Sequence, residues 1–261
     1  MYDLAALDAA LAGTVFAGKL HFSRVTGSTN TDALNAARSG APHGSVYFAD
    51  EQHAGRGRGD HAWQSAAGQG LYVSVLLRPE IEASVLPVIP LVAGLAAAEA
   101  IAITSSLKTD IRWPNDLLIG ARKTGGILVE SRTDGSEVSF VVIGIGINVH
   151  QRDFDQDLST AATSLDMETG HRVSRQALLV SLLKSLQCGT SDLHDPAVVA
   201  AIPARVARVS TWLWNRLVEV HGPQACVGLT QGLDTHGFLQ VRTESGMVTV
   251  QTGGIRAAEI G

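Results

Sequence analysis

The sequence has few cysteines and few lysines, and both features limit the class of protein that it can encode. The 261-residue chain has only two cysteines, Cys188 and Cys226, which are too few for a disulfide framework and have no CxxC spacing. It has four lysines and a formal net charge of −5, so it lacks the basic surface that non-specific nucleic-acid binding requires. These absences favour a protein of the reducing cytoplasm without a nucleic-acid partner.

Targeting and membrane-spanning features are also missing. The first residues, MYDLAALDAALAG, lack a basic n-region and carry two aspartates, which is unlike a signal peptide. Residues 85–103 are apolar enough to imitate a membrane span, but two prolines and Glu99 interrupt them. We interpret this stretch as a buried helix that begins near Pro90, and we expect no membrane partner.

The rest of the composition, 45% hydrophobic and 17% charged, is typical of a globular chain with a sizeable core. Strand-like stretches alternate with helical patterns, and this mixture predicts an α+β fold, a mixed β-sheet with flanking helices. Strands are predicted at 19–25, 44–52, 70–78, 108–113, 125–131 and 136–149, and helices at 31–40, 90–103, 174–187 and 195–210.

The sequence pattern changes near residue 212. Short alternating strands then follow one another, separated by turn signals such as Asp234-Thr235-His236-Gly237. This pattern predicts a small β-barrel. We therefore expect one domain over 1–212 and a second over 213–261.

A glycine–arginine loop, Gly55-Arg56-Gly57-Arg58-Gly59, is the first candidate binding element. In an extended loop the two guanidinium groups point the same way, about 7 Å apart. At that distance they repel by about 2 kcal/mol at an effective dielectric constant near 20, and a bound anion would remove this cost. A flexible surface loop is the alternative interpretation.

Two other segments carry charged residues that could act on a ligand. Lys123 precedes Gly125-Gly126 and an apolar strand, so its ammonium group could pair with a carboxylate or phosphate; a solvated lysine at a hairpin tip is the alternative. Pro114-Asn115-Asp116 is ordinary turn chemistry, although an aspartate beside a ligand pocket could act as a base.

Two further segments could receive a neutral polar ring. In GSTN, residues 27–30, Ser28 or Thr29 would cap a helix, or the small polar side chains would bind the ring. In IGIGIN, Gly144 and Gly146 leave one strand face flat, which admits a ligand, but the segment is not a dinucleotide fingerprint. The nine histidines show no metal-ligand spacing, so no metal site is assigned.

The order of these motifs resembles the biotin–protein ligase family, in the monofunctional form without an N-terminal DNA-binding domain. The matching runs are GSTN, ADEQHAGRGR…W, RWPNDLL…RKTGGILVE, IGIGIN and the tail GLDTHGFLQV…TGGIR. The resemblance implies a catalytic domain related to lipoate ligases and a C-terminal SH3-like β-barrel. It implies that biotin and ATP, with Mg²⁺, form biotinyl-5′-AMP, and that biotin then passes to a lysine of a biotin carboxyl carrier protein, a carboxylase subunit.

The resemblance also implies roles for individual residues. Lys123 and Arg58 would act on the phosphate and the carboxylate, and Asp116 would position the carrier lysine or take its proton. Biotin's ureido group offers one acceptor and two donors, which small polar side chains would match. The residues expected to bind biotin or the adenylate are Ser28, Thr29, Asn30, Gln52, Gly55, Arg56, Gly57, Arg58, Lys123, Gly126, Gly144, Gly146 and Asn148, with Trp63, Arg112 and Asn115 as secondary candidates. The loop after Asn148 is expected to cover the adenosine.

The sequence departs from the family pattern at two points. Gly59-Asp60-His61 stands where members often have a further basic run, and Arg112 stands where they usually have lysine. Arginine keeps the charge but not the compact ammonium group.

Two alternative functions are open. A lipoate or octanoate ligase would share the fold, but its substrate has no ureido group. A non-enzymatic biotin-sensing repressor is disfavoured, because only about twenty residues precede the first strand and the chain is acidic. Relatives dimerise through sheet edges in several ways, so a homodimer is a further open alternative.

Overall fold

The computed structural model describes residues 2–59, 62–155 and 158–258. Its first seven strands are β1 (Leu20–Thr26), β2 (Ser45–Gln52), β3 (Gly70–Leu77), β4 (Asp110–Arg112), β5 (Asp116–Ile119), β6 (Arg122–Asp134) and β7 (Glu137–Asn148). They form one sheet in the order β1-β2-β3-β7-β6-β5-β4. β1 and β2 are parallel and the other neighbours antiparallel, so the predicted mixed sheet is confirmed.

Helices flank this sheet, as expected for the predicted α+β class. They are α1 (Leu4–Ala10), α2 (Thr29–Arg38), α3 (Ile89–Ser105), α4 (Leu165–Thr169), α5 (Arg175–Thr190) and α6 (Pro196–Ala207), and a 3₁₀-helix at Ala83–Val88 leads into α3. α2 buries Ala33 and Ala37 against Leu76, Phe140 and Val142. α3 and α5 pack against each other within the main hydrophobic core.

The apolar stretch that imitates a membrane span forms the 3₁₀-helix and α3. Among the described residues, Ala83–Ser105 is the one helical segment long and apolar enough to cross a membrane, and 61% of its most apolar window is buried inside the protein. Leu91, Val92 and Ile101 are at most 1% exposed. This burial agrees with the interpretation as a core helix.

The end of the chain forms a second sheet. Its strands are β8 (Trp214–His221), β9 (Cys226–Leu233), β10 (Leu239–Thr243), β11 (Gly246–Val250) and β12 (Gly254–Ala257). They are antiparallel in the order β11-β10-β9-β8-β12, consistent with an SH3-like unit. β11 and β12 are the two end strands, so the described pairings form a sheet without closing the predicted barrel.

The centre of the large sheet positions the candidate site. β7 lies between β3 and β6, and each of its two glycines has a small partner across one of the two ladders. Gly144 pairs with Ser74 on β3, and Gly146 pairs with Gly126 on β6. The missing side chains let other groups approach this part of the sheet closely.

Candidate active site

One cavity contains almost all the residues that the sequence singled out. It has a volume of about 670 Å³ and opens where the start of α2, the loop after β2, the β4–β5 turn, β6 and β7 meet the C-terminal sheet. The structure describes every predicted site residue, and Gly55 alone is absent from the lining. The lining includes Ser28, Thr29, Asn30, Gln52, Arg56, Gly57, Arg58, Trp63, Arg112, Asn115, Asp116, Lys123, Gly126, Gly144, Gly146 and Asn148.

Lys123 and Asp116 form the charged centre of this cavity. Nζ of Lys123 lies 2.5 Å from Oδ1 of Asp116, and Arg112 donates to Oδ2 through Nη2 at 2.6 Å and Nε at 3.1 Å. Burial alone would raise the pKa of the Asp116 carboxyl, but the charges of Lys123 and Arg112 outweigh it and hold this pKa below its usual range. Asp116 is therefore a fixed anion that orients two cations.

The glycine–arginine loop brings Arg58 to the same place. Arg58 donates to the carbonyl oxygen of Gly253 and, at 2.9 Å, to the hydroxyl of Thr252, both in the turn between β11 and β12. Burial lowers the pKa of the Arg58 guanidinium, and the charge of Asp116 opposes this shift. Arg58 thus lies within electrostatic reach of the Lys123–Asp116 pair.

A backbone hydrogen bond joins Gly55, at the start of the glycine–arginine loop, to Trp63, which follows the loop. The Trp63 backbone N–H donates to the Gly55 carbonyl at 2.9 Å, and a Cβ at Gly55 would lie 2.4 Å from the Trp63 carbonyl oxygen. Only glycine permits this approach. The Trp63 ring lies 5.6 Å from Nζ of Lys123, a cation–π contact, and Arg56 forms an ion pair with Glu130 at 2.6 Å. These contacts hold the loop against the rest of the protein, which favours an ordered binding loop over the alternative of a flexible surface loop.

A buried polar cluster lies beside the charged centre. The Thr29 N–H donates to Oε1 of Gln52 at 2.8 Å, and the Thr29 hydroxyl lies 2.8 Å from that of Ser74. The Ser74 hydroxyl donates to Oδ1 of Asn30 at 2.6 Å. Ser28 occupies the N-cap position of α2, but its side chain accepts no capping hydrogen bond. Capping therefore does not account for this hydroxyl, which lines the cavity.

The two glycines of β7 are approached closely by other side chains. A Cβ at Gly144 would lie 2.0 Å from Oδ1 of Asn30, and a Cβ at Gly146 would lie 2.6 Å from the Trp63 indole. Protein side chains therefore occupy the place of a Cβ at both positions, and both glycines line the cavity, so their contact with a ligand ring stays a prediction. A glycine in a strand indicates close approach, but it does not identify the group that approaches.

Two predicted site residues hold the wall of the cavity in place. Asn115 donates from Nδ2 to a β6 carbonyl at 2.8 Å, and Asn148 donates from Nδ2 to the Thr163 carbonyl at 3.1 Å. Arg112 also donates to the Thr160 hydroxyl at 3.0 Å. These bonds fix the β4–β5 turn and the loop after β7. The other departure from the family pattern, Asp60 and His61, lies outside the described residues.

Several contacts involve residues that were given no individual role from the sequence. They include Ser74 on β3, Glu130 on β6 and Thr252 in the C-terminal sheet. Glu130 follows the apolar run Ile127-Leu128-Val129 and lies inside the matching run RKTGGILVE, a signal that could have identified it. Ser74 carries no such signal, because cross-strand register brings it to the cavity, whereas Thr252 lies in the matching tail TGGIR.

Comparison with known proteins gives one consistent result. Residues 22–148 match the Biotin/lipoate A/B protein ligase family. The chain is 39% identical over 242 residues to the bifunctional ligase/repressor BirA of Bacillus subtilis, covering 90% of this chain and 73% of that protein. It is 32% identical over 239 residues to the biotin–[acetyl-CoA-carboxylase] ligase of Mycobacterium tuberculosis, covering 88% of this chain and 85% of that protein. The biotin protein ligase of Aquifex aeolicus, solved with biotin and ATP, superimposes with a TM-score of 0.79 at 28% identity, covering 92% of this chain and 98% of that one.

Proposed function

This chain belongs to the biotin–protein ligase family and is an ATP-dependent biotin ligase, and we propose that its cavity carries out both steps of biotin transfer. In the first step biotin and ATP form biotinyl-5′-AMP and pyrophosphate. In the second, a lysine of a biotin carboxyl carrier protein takes the biotinyl group and AMP leaves. The observation that carries this proposal is the convergence of Arg56, Arg58 and Lys123 on one cavity beside the buried polar cluster.

The first step requires two anions to approach each other. A biotin carboxylate oxygen bonds to the α-phosphorus while the bond from phosphorus to the pyrophosphate oxygen breaks. Two unit charges 4 Å apart repel by about 4 kcal/mol at an effective dielectric constant of 20. Lys123 and Arg58 offset this repulsion and stabilise the charge that develops on the phosphate.

The second step requires a neutral amine on the carrier lysine. That amine attacks the acyl carbon, and the bond from the carbonyl to the phosphate oxygen breaks. Because two cations hold the pKa of Asp116 below its usual range, this carboxylate is a poor proton acceptor near neutral pH. We assign Asp116 the role of positioning Lys123, which differs from the two roles implied by the resemblance, positioning the carrier lysine or taking its proton.

Mg²⁺ belongs to the substrate in this scheme. Mg²⁺ usually binds phosphate oxygens and water with only one or two protein carboxylates. Among the described residues there is no group of three His, Cys, Asp or Glu side chains that could hold a metal, and Asp116 and Glu130 are each paired with a cation. A metal carried by the ATP phosphates fits this donor set better than a resident ion.

The buried polar cluster favours biotin over a lipoyl chain. Ser28, Thr29, Asn30 and Gln52 present hydroxyl and amide groups at the cavity, and the first three are at most 5% exposed. A ureido group can add hydrogen bonds to this cluster, above all at the Ser28 hydroxyl, which makes no capping bond, whereas a lipoyl chain has no polar ring to match it.

Incubation of the protein with biotin, α-labelled ATP and Mg²⁺ is expected to yield labelled biotinyl-5′-AMP. Excess lipoate should not compete in this assay. A labelled lipoyl adenylate, with no biotinyl product, would instead identify a lipoate ligase.

Gly144→Ala is expected to weaken biotin binding by about tenfold, because the added methyl group would displace Asn30 and cost about one hydrogen bond. Calorimetric titration with biotin measures this effect. Gly94→Ala is the control, since its Cβ would come no closer than 3.5 Å to Ile111. Unchanged affinity in Gly144→Ala would show that the position of Asn30 is unimportant.

We also propose that the protein is cytoplasmic, that it has no nucleic-acid or membrane partner, and that its catalytic domain ends near residue 212. A homodimer is a further open alternative.

A further inference from the structure

One carboxylate oxygen joins two parts of the cavity that have different tasks. Oε2 of Glu130 lies 2.6 Å from Nη2 of Arg56 and accepts a hydrogen bond from Nδ2 of Asn30 at 2.9 Å. Arg56 belongs to the glycine–arginine loop, and Asn30 belongs to the polar cluster. No role was expected for Glu130 from the sequence.

The bonds around Asn30 fix its amide in one orientation. Oδ1 accepts from the buried Ser74 hydroxyl, so Nδ2 is directed towards Glu130 and, more weakly, towards the Leu128 carbonyl at 3.4 Å. Asn30 is only 4% exposed, and loss of a partner there leaves a buried polar group unsatisfied. Ser74 therefore holds one side of the Asn30 amide and Glu130 holds the other.

The same hydrogen bonds continue to the far end of the loop. The Thr29 hydroxyl donates to Ser74, and the Thr29 backbone N–H donates to Gln52, whose Nε2 donates to the Ser65 hydroxyl at 2.7 Å. Ser65 in turn donates to the Trp63 carbonyl at 3.2 Å. The polar cluster is thus connected to the glycine–arginine loop at Arg56 and to the segment after the loop at Trp63.

The Arg56 end of this network is the one that can change partner. The Arg56 side chain is 42% exposed, compared with 28% for Glu130. A phosphate entering the cavity competes with Glu130 for this guanidinium, because arginine binds phosphate at least as well as carboxylate. If Arg56 moves to phosphate, the full charge of Glu130 is directed to Asn30.

We propose that Glu130 is a positioning residue that couples the binding of biotin to the binding of nucleotide through its contacts with Asn30 and Arg56. The inference rests on the proposed function. Nucleotide binding removes Arg56 from Glu130, strengthens the bond from Asn30 to Glu130, and fixes the amide for the biotin ring. Coupling of this kind is reciprocal, so biotin raises the affinity for nucleotide by the same factor.

Calorimetry with biotin, in the absence and presence of a saturating non-hydrolysable ATP analogue, tests this coupling. For the wild type we expect biotin to bind at least about fivefold more tightly with the analogue present. Glu130→Gln keeps an acceptor for Asn30 but removes the charge that holds Arg56, so this ratio should fall to about one. A residue that served only to stabilise the fold would change stability without changing the ratio.

Asp50→Asn is the matched control. Asp50 pairs with Arg175 outside the cavity lining at 2.9 Å, and its side chain is 27% exposed, close to the value for Glu130. This variant should keep the wild-type ratio. An unchanged ratio in Glu130→Gln, or no ratio above one in the wild type, would overturn the inference. Failure of the wild type to bind biotin under either condition would instead refute the proposed function.

Discussion

Lys123→Ala is expected to lower the single-turnover rate of biotinyl-5′-AMP formation by about 10²–10³-fold, the usual cost of removing one group that stabilises developing charge. Nζ of Lys123 is held 2.5 Å from Asp116 and near the Trp63 ring, so its position in the cavity is fixed before the reaction begins. Rapid-quench measurement with α-labelled ATP gives the rate directly.

Lys184→Ala is the control for this experiment. Lys184 is an exposed residue of α5 outside the cavity lining, so the rate should equal that of the wild type. A wild-type rate in Lys123→Ala would remove Lys123 from the reaction, whatever its contacts.

Asp116→Asn is expected to lower the free energy of unfolding by about 3 kcal/mol, because it leaves two cations without their shared anion. The Asp116 and Arg112 side chains are only 16% and 9% exposed, so water can replace little of the lost interaction. The melting temperature should fall by roughly 6–12 °C, as measured by calorimetry.

The pH dependence gives a second readout for this variant. The folded-state pKa of Asp116 lies below the unfolded value of about 3.9, so its stabilisation is fully present above that pH and is lost as the pH falls through the folded-state pKa. The gap in melting temperature between wild type and Asp116→Asn should therefore narrow below about pH 4. A gap that is absent at neutral pH would show that Asp116 is not the shared anion.

The long elements could be predicted because their patterns are continuous. β3 and β7 are apolar runs that only a buried strand explains, and α3 is a long apolar segment with proline at its first turn. The missed elements are short. β5 has four residues, α4 has five and α1 has seven. Elements this short do not show a repeating pattern of hydrophobic residues that distinguishes them from the flanking loops.

The candidate site was predictable to a smaller extent. No pattern of hydrophobic residues predicts that Arg58 and Lys123 lie in one cavity. That expectation came from the order of motifs that resemble biotin ligases. The occupants of the space at Gly144 and Gly146 depend on rotamers of Asn30 and Trp63, which a sequence does not specify. The shared role of Glu130 depends likewise on the register of β6 beside β7.

A crystal structure with bound biotinyl-5′-AMP tests most directly whether cations from separate segments meet at the reacting groups. We expect Nζ of Lys123 and the Arg58 guanidinium within hydrogen-bond distance of the phosphate, with the ureido ring against Ser28, Thr29 and Asn30. A phosphate bound away from both side chains, or a ring placed elsewhere in the cavity, would contradict the account.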